Sequence, residues 1–417
     1  MGRRLIATLF GVLACTPPPD TRWPAELAWP SDQARQQPDE AAPPVTKAVR
    51  VRVAVFNASL HRERKGMLRE QLAAGDAQAH AIAEIVQRVA PDVLVIQEID
   101  EDAEAVALLR DRYLAVAHGD AEGIRLPYAM QPRCNTGVQS GYDLDMDGKL
   151  AGPGDAWGFG SYPGQFCFAI FSRWPIANES VRSFSSLRWA QMPGNLMPPG
   201  FWPDQVADEV RLSSKSHVDV PIDVEGTWLH VLAHHPTPPV FDGPEDRNGR
   251  RNHDEIRLWA DYLSAVDAAW IVDDAGTMGG LGASERFVVV GDHNADPDDG
   301  DSFPHAIAQL LDHPRIESTV VPTSRGAIES AKTQGGVNVG QQGDPARDTA
   351  DFDDRSTGNL RVDYVLPARG MRITGAGVFW PASDELFADL VRASDHRLVW
   401  VDVWIEPPSA VAPTAPR

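Results

Sequence analysis

Arg286-Phe-Val-Val-Val-Gly-Asp-His-Asn-Ala-Asp296 decides the fold. The run Phe287 to Val290 is the short continuous apolar stretch of a strand buried on both faces, and it stops at Gly291. Residues two apart on a strand share a side, so Asp292 and Asn294 project together from its carboxyl end. That end is where α/β sheets hold ligands.

The arrangement recurs on either side. Val49-Arg-Val-Arg-Val-Ala-Val-Phe-Asn57 alternates at Val51, Val53 and Val55 and ends on a carboxamide. Ile82, Ile85, Val86 and Val89 then fall at helical spacing across 76–90, and Val93-Leu-Val-Ile-Gln-Glu98 is a second buried strand ending on a carboxylate. A second unit runs from Trp228-Leu-His-Val-Leu-Ala-His-His235 through a helix expected over 252–270, with Ile256, Trp259, Leu263, Val266 and Trp270, into the 287–296 strand. Further strands are expected at 166–171, 360–366 and 398–404. The stretches 120–165 and 325–358 lack periodicity and read as long functional or ion-binding loops. Two such units imply an α/β fold with two sheets face to face and helices outside.

The ends of the chain read differently. Arg3 and Arg4 precede an apolar segment that closes on Val-Leu-Ala before Cys15, an export signal over residues 1–14. Its Leu-Ala-Cys ending resembles a bacterial lipoprotein signal, which implies lipidation of Cys15 and anchoring to a membrane in the cell envelope; an ordinary secretory signal is the alternative. Residues 15–48 hold eight prolines and read as a tether, and 406–417 read as a disordered tail, leaving one domain over 49–405. Of the 38 basic and 59 acidic residues, cleavage removes two basic ones and takes the net charge from −21 to −23. That charge opposes nonspecific binding to nucleic acid, which needs Lys and Arg against phosphates, and leaves room for a local basic pocket. In an oxidising setting Cys134 and Cys167 are a candidate disulfide, with two buried free thiols as the alternative.

The strand-end residues form one chemical set: Asn57, Glu98, His235, Asp292, Asn294, Asp363, Asp395 and His396. Hard oxygen donors and imidazoles without a thiolate suit Mg²⁺, Mn²⁺ or Ca²⁺. Phosphate-ester hydrolysis uses the same set: a cation for the phosphoryl oxygens, a carboxylate for water, and imidazole or amide donors for developing charge.

The motifs Val55-Phe-Asn57, Val95-Ile-Gln-Glu98, His235, Gly291-Asp-His-Asn294, Arg361-Val-Asp-Tyr364 and Ser394-Asp-His396, in this order over residues 49–405, resemble the endonuclease/exonuclease/phosphatase superfamily, and the long insert from His235 to Asn252 resembles its bacterial secreted subgroup. The resemblance implies a four-layered α/β sandwich of two packed mixed β-sheets flanked by helices, acting as a divalent-metal phosphoesterase on mono- or diesters. It implies Glu98 as principal metal ligand with Asn57 and Asp395 assisting, Asp292 for the attacking water, and Asn294 on a phosphoryl oxygen. His396 would contact the scissile phosphate with Asp363 fixing its tautomer, and His235 would stabilise the transition state. His235 is preferred to His234 because Pro236 marks the strand's end.

Two features stand outside this pattern. Arg247, Arg250 and Arg251, in an insert after His235, are planar donors suited to substrate phosphate, or else salt-bridge partners of neighbouring carboxylates. Asp143, Asp145 and Asp147 before Gly148 resemble the start of a calcium loop without its twelfth-position Glu, against the alternative of an acidic turn; the Asp348–Asp354 run is a weaker candidate of the same kind, more often merely solvated. Trp189, Phe201 and Trp202 are candidates for membrane-contact loops of a sphingomyelinase-like diesterase. A noncatalytic surface binding protein on the same scaffold is the competing class, a small phosphorylated molecule the expected substrate, and a monomer the expected state.

Overall fold

The computed structural model describes residues 47–264 and 266–407. Cys15, the signal and the tether therefore lie outside the described residues, as does the tail beyond 407. From β1 (Val49–Asn57) the chain passes through α1 (Met67–Ala74) and α2 (Ala77–Val89) to β2 (Val93–Ile99), then α3 (Ala103–Leu108), β3 (Tyr128–Met130) and β4 (Cys167–Ser172). There follow β5 (Arg182–Ser183), α4 (Asp204–Ala207), β6 (His217–Val224), β7 (Thr227–His234), α5 (Arg247–Leu263), β8 (Phe287–Asp292), α6 (Ala308–Leu311) and α7 (Arg325–Gln334). A short ribbon of β9 (Ala350–Asp351) and β10 (Asn359–Leu360) precedes β11 (Asp363–Pro367), β12 (Arg372–Val378) and β13 (Val399–Ile405).

The strands make two mixed sheets, β12-β13-β1-β2-β4-β3 and β11-β8-β7-β6-β5. Parallel pairing occurs once in each, β1 with β2 and β7 with β8, where a helix crosses over between the two strands. The strands explain their own burial. Val51, Val53 and Val55 with Val93 and Val95 face Val218, Val220, Val231, Val288 and Val290 across the inter-sheet core. The alternate residues Ala54, Phe56, Leu94 and Ile96 take the helical spacing of α2 at Ile82, Ile85, Val86 and Val89. On the far side Leu232, Phe287 and Val289 pack under α5 through Ile256, Trp259 and Leu263. Helix, sheet, sheet, helix are the four layers.

Several boundaries differ from the sequence expectation. Helix α5 begins at Arg247 and stops at Leu263, where Ser264 turns extended, so Trp270 belongs to a separate short turn over Asp267–Trp270. The 360–366 strand is split, because Arg361 and Val362 leave the β9–β10 ribbon before β11 joins β8. Helix α7 occupies the start of the 325–358 stretch, capped by Ser324 Oγ accepting from the Ala327 amide. Cys134 and Cys167 are joined by a disulfide, Cα to Cα 5.9 Å, tying the 134 loop to the first residue of β4. Among the described residues no helix is long and apolar enough to cross a membrane.

Candidate active site

The neighbouring carboxyl ends of β1, β2, β7 and β8 meet where the two sheets converge. Gln97 fastens them. Its Oε1 accepts from the Asp292 amide at 2.7 Å and its Nε2 donates to the His234 carbonyl at 2.7 Å, so one buried carboxamide from the first sheet bridges two strand ends of the second. The β7–β8 pairing reaches only Ala233 and Val290, and the Gln97 amide takes over beyond it. The approach is close enough to require glycine at 291: a Cβ there would stand 2.1 Å from the His234 carbonyl oxygen.

Asp292, so placed, is the hub. Its Oδ2 receives Asn57 Nδ2 at 3.1 Å, lies 3.3 Å from His235 Nε2 and 3.7 Å from His396 Nε2, while Oδ1 accepts the Asn294 amide at 2.8 Å. Burial opposes its charge, yet His396 and His235 outweigh that and hold the carboxyl well below the usual range. Behind His396, Nδ1–H donates to Asp363 Oδ2 at 2.9 Å, and the same oxygen accepts Thr349 Oγ1 at 2.9 Å. Burial pushes His396 down, but Asp363 and Asp292 raise it to about 10. A protonated imidazole therefore stands between two carboxylates with Nε2 toward Asp292.

Glu98, next to last in β2, sits in a bulge with φ of 54° in the left-handed region, an unfavourable backbone of the sort tolerated where a side chain must be re-aimed. Asn294 repeats this at φ 50°, its Nδ2 donating to the Pro236 carbonyl at 3.2 Å. His61 Nδ1 lies 3.1 Å from Glu98 Oε2. Burial raises Glu98, but His61 beside it, with His235 and His396 further off, brings it down to about 2. Its carboxylate is thus ionised and part-exposed, an oxygen donor of the kind that Mg²⁺, Mn²⁺ or Ca²⁺ takes. The carboxylate and imidazole atoms of Asp292, Asp363 and His396 also lie within 4.8 Å of one another. His396 Nδ1 is bonded to Asp363 within this trio, while its Nε2 stands 3.7 Å from Asp292 as an ion-pair contact.

Other expected residues fall elsewhere. Asp395 is exposed and reaches Ser59 Oγ at 3.3 Å, apart from the buried hub, because it alternates with His396. Arg247 pairs with Glu245, and Arg250 donates to the Glu245 carbonyl at 3.1 Å. Arg251 spends its guanidinium on the carbonyls of Leu212, Trp157 and Arg211. These arginines brace α5 to its surroundings, which corrects the expectation for Arg251 as a phosphate donor. Trp189 and Trp202 are buried, donating to Asp254 at 2.6 Å and to the Leu144 carbonyl at 3.0 Å, and Phe201 packs edge-on against Trp202; membrane contact by these rings is corrected too. Asp143, Asp145 and Asp147 come within 4.8 Å of one another, but Asp143 accepts the Asp147 and Gly148 amides and Asp147 pairs with Lys149 at 2.7 Å, so the turn holds its shape through its own bonds. Asp348 is not solvated. It is 6% exposed, its carboxylate has no hydrogen-bond donor among the described residues, and burial with Asp296, Asp299 and Asp344 pushes it up to about 8.

Sequence reading missed four participants. Lys215 precedes β6 and is buried, with Nζ 3.4 Å from the Pro236 carbonyl that also takes Asn294. Burial lowers its pKa against the pull of Glu98, Glu255 and Asp292. His61 and Gln97 sit beside or within quoted motifs, without a pattern of their own. Arg397, stacked 4.2 Å over Trp380, donates to the carbonyls of Ser394 and His396 and to Asp351 at 3.0 Å, fixing the loop that carries His396. Trp380 in turn leans on Gly326 of α7, where a Cβ would meet its ring at 2.4 Å.

Comparison with known proteins follows the same line. The profile described as "Endonuclease/Exonuclease/phosphatase family" matches residues 54–396. Comparison with curated proteins gives no match. Similar solved structures include an endonuclease/exonuclease/phosphatase from Beutenbergia cavernae DSM 12333, at 17% identity, covering 85% of this chain and 71% of that one with a TM-score of 0.48. Sphingomyelinase C from Streptomyces griseocarneus is similar at 17% identity, covering 85% and 99%, TM-score 0.47. A Staphylococcus aureus beta toxin mutant with bound magnesium ions is similar at 12% identity, covering 85% and 99%, TM-score 0.43.

Proposed function

Since the chain belongs to the endonuclease/exonuclease/phosphatase family and is a metal-dependent phosphoric ester hydrolase, we propose that it is an exported phosphoesterase whose centre is built on Asp292. The observation that carries this reading is the convergence of Asn57, His235, His396 and Asn294 on one buried carboxylate, with Asp363 behind. Glu98 and Asn57 would hold the divalent cation, which when bound neutralises phosphoryl charge.

The chain's own groups do the rest. A carboxylate held as low as Asp292 is a weak base, so its part is to hold and orient the attacking water. His396, charged and locked by Asp363, presents an Nε2–H to a non-bridging oxygen as negative charge grows there. His235, whose Nδ1 is buried without a hydrogen-bond partner among the described residues, offers a second donor through Nε2. Asn294 Nδ2 and Lys215 Nζ, now both on the Pro236 carbonyl, are released to the phosphoryl group.

A panel of nucleotides, DNA, phosphoinositides, phytate and sphingomyelin with Mg²⁺, Mn²⁺ or Ca²⁺ tests this beside Asp292→Ala and Glu98→Ala. Turnover in wild type, lost in both variants, is expected. A folded wild type that turns over no ester, and binds a phosphorylated ligand as its variants do, would hand the case to the binding-protein reading. Export and the Cys15 anchor are part of the proposal; mass spectrometry of the mature amino terminus checks them, and an unmodified start other than Cys15 rejects the anchor.

A further inference from the structure

Helix α2 carries His80 on its exposed face, and across from it the 113–118 segment brings up His118. Their Nδ1 atoms are 3.3 Å apart. His118 Nε2 lies 3.0 Å from the Tyr113 carbonyl oxygen. A carbonyl can only accept, so the proton of neutral His118 is on Nε2 and Nδ1 turns its lone pair toward His80. A backbone carbonyl that fixes the far ring nitrogen is the usual support of a metal-binding histidine.

The scaffold holds both rings. The His118 amide donates to Gln87 Oε1 at 3.1 Å, and Gln87 Nε2 donates to the Tyr113 and Leu114 carbonyls at 3.1 and 3.0 Å. His80 packs on the Tyr113 ring at 4.8 Å, and Tyr113 donates its hydroxyl to Leu72 O at 2.7 Å. Glu84, one turn along α2 from His80, and Asp120 both bind Arg88 and add carboxylate charge close by.

We infer that His80 and His118 form a second cation site, separate from Glu98, for a borderline transition ion such as Zn²⁺, Ni²⁺ or Cu²⁺. Two imidazole nitrogens each about 2.0–2.1 Å from one tetrahedral ion stand about 3.3 Å apart, the spacing found here. Imidazole donors favour these ions over Mg²⁺ and Ca²⁺. Without an ion, His80 donates Nδ1–H to His118. On binding, that proton moves to His80 Nε2, both rings enter neutral, and water or Glu84 fills the remaining positions.

The test is Cu²⁺ titration of Mg²⁺-saturated protein, read by electron paramagnetic resonance for the number of coordinated nitrogens. Wild type should show a two-nitrogen site. His80→Gln and His118→Gln should each fall to one nitrogen and weaken binding by about tenfold or more, with the unfolding midpoint and ester turnover unchanged. A one-nitrogen signature in wild type, or a two-nitrogen signature surviving in both variants, overturns the inference.

Discussion

Gln97→Leu separates the proposed architecture from a mere collection of strand-end residues. Leucine fills similar space but offers neither the acceptor for the Asp292 amide nor the donor for the His234 carbonyl, both of which lie in buried surroundings. Each orphaned group costs about 1–3 kcal/mol, so the pair should cost about 2–6 kcal/mol. That is a large share of the roughly 5–15 kcal/mol that holds a domain folded. Gln87→Leu makes the contrast: it loses the Tyr113 and Leu114 carbonyls, away from the hub. Urea unfolding followed by circular dichroism, together with turnover of a phosphodiester, reads both effects. Both variants should unfold earlier, but only Gln97→Leu should lose turnover at urea concentrations where it remains folded, because Asp292 is no longer anchored. If Gln97→Leu unfolds and turns over as wild type does, the sheets are not joined through this amide and the reasoning fails.

Other expectations follow from the same geometry. His396→Ala should lower kcat by about 10²–10⁴-fold while the protein stays folded, and Asp363→Asn should lower it less; unchanged kcat in His396→Ala would remove that imidazole from the reaction. Chelation of divalent ions should abolish turnover reversibly, with Glu98→Gln demanding more Mg²⁺ for half-maximal rate; equal demand would move the cation off Glu98. Reducing the Cys134–Cys167 disulfide, whose ends are 33 positions apart in sequence, should cost about 3–4 kcal/mol in unfolding free energy. For Asp348, the folded pKa of about 8 lies above its ordinary 3.8, so the folded state binds more protons between these values and loses stability as pH rises through that window. Asp348→Asn in chelator should therefore match wild type near pH 4 and be the more stable of the two above pH 8, and a difference independent of pH would refute the burial argument.

Much of this was legible from residue order because burial on both faces leaves a plain mark. The Val288–Val290 run, the Val51/Val53/Val55 alternation and the α2 spacing each name an element and its face, and the polar residue after each run names the site. What escaped has a physical reason. Strand β6 is interrupted by His217, Asp219 and Pro221, and its polar residues are satisfied inside the fold, His217 against the Glu255 carbonyl at 2.9 Å and Asp219 by the Tyr262 hydroxyl at 2.7 Å. Lys215 gave no sign, since only the fold brings this lysine, from a serine-rich loop before β6, within reach of the Glu98 and Asp292 charges. The arginines after His235 matched the chemistry of phosphate binding, but the carbonyls that claim Arg251 come from residues 39 to 94 positions away. Asp395 and His396 are adjacent in sequence and part company because the chain there is extended.

Arg397, Trp380 and Gly326 form a stack that runs from an outer helix to the loop of His396. A methyl group added at Gly326, on a helix with no part in the chemistry, would lean on the indole, then the guanidinium, and would be felt as a shift in the proton-bearing ring that faces Asp292. Such a lesion would remove no reacting group and still slow the enzyme, so a loss of rate traced to α7 would report on leverage transmitted through the protein rather than on a missing participant.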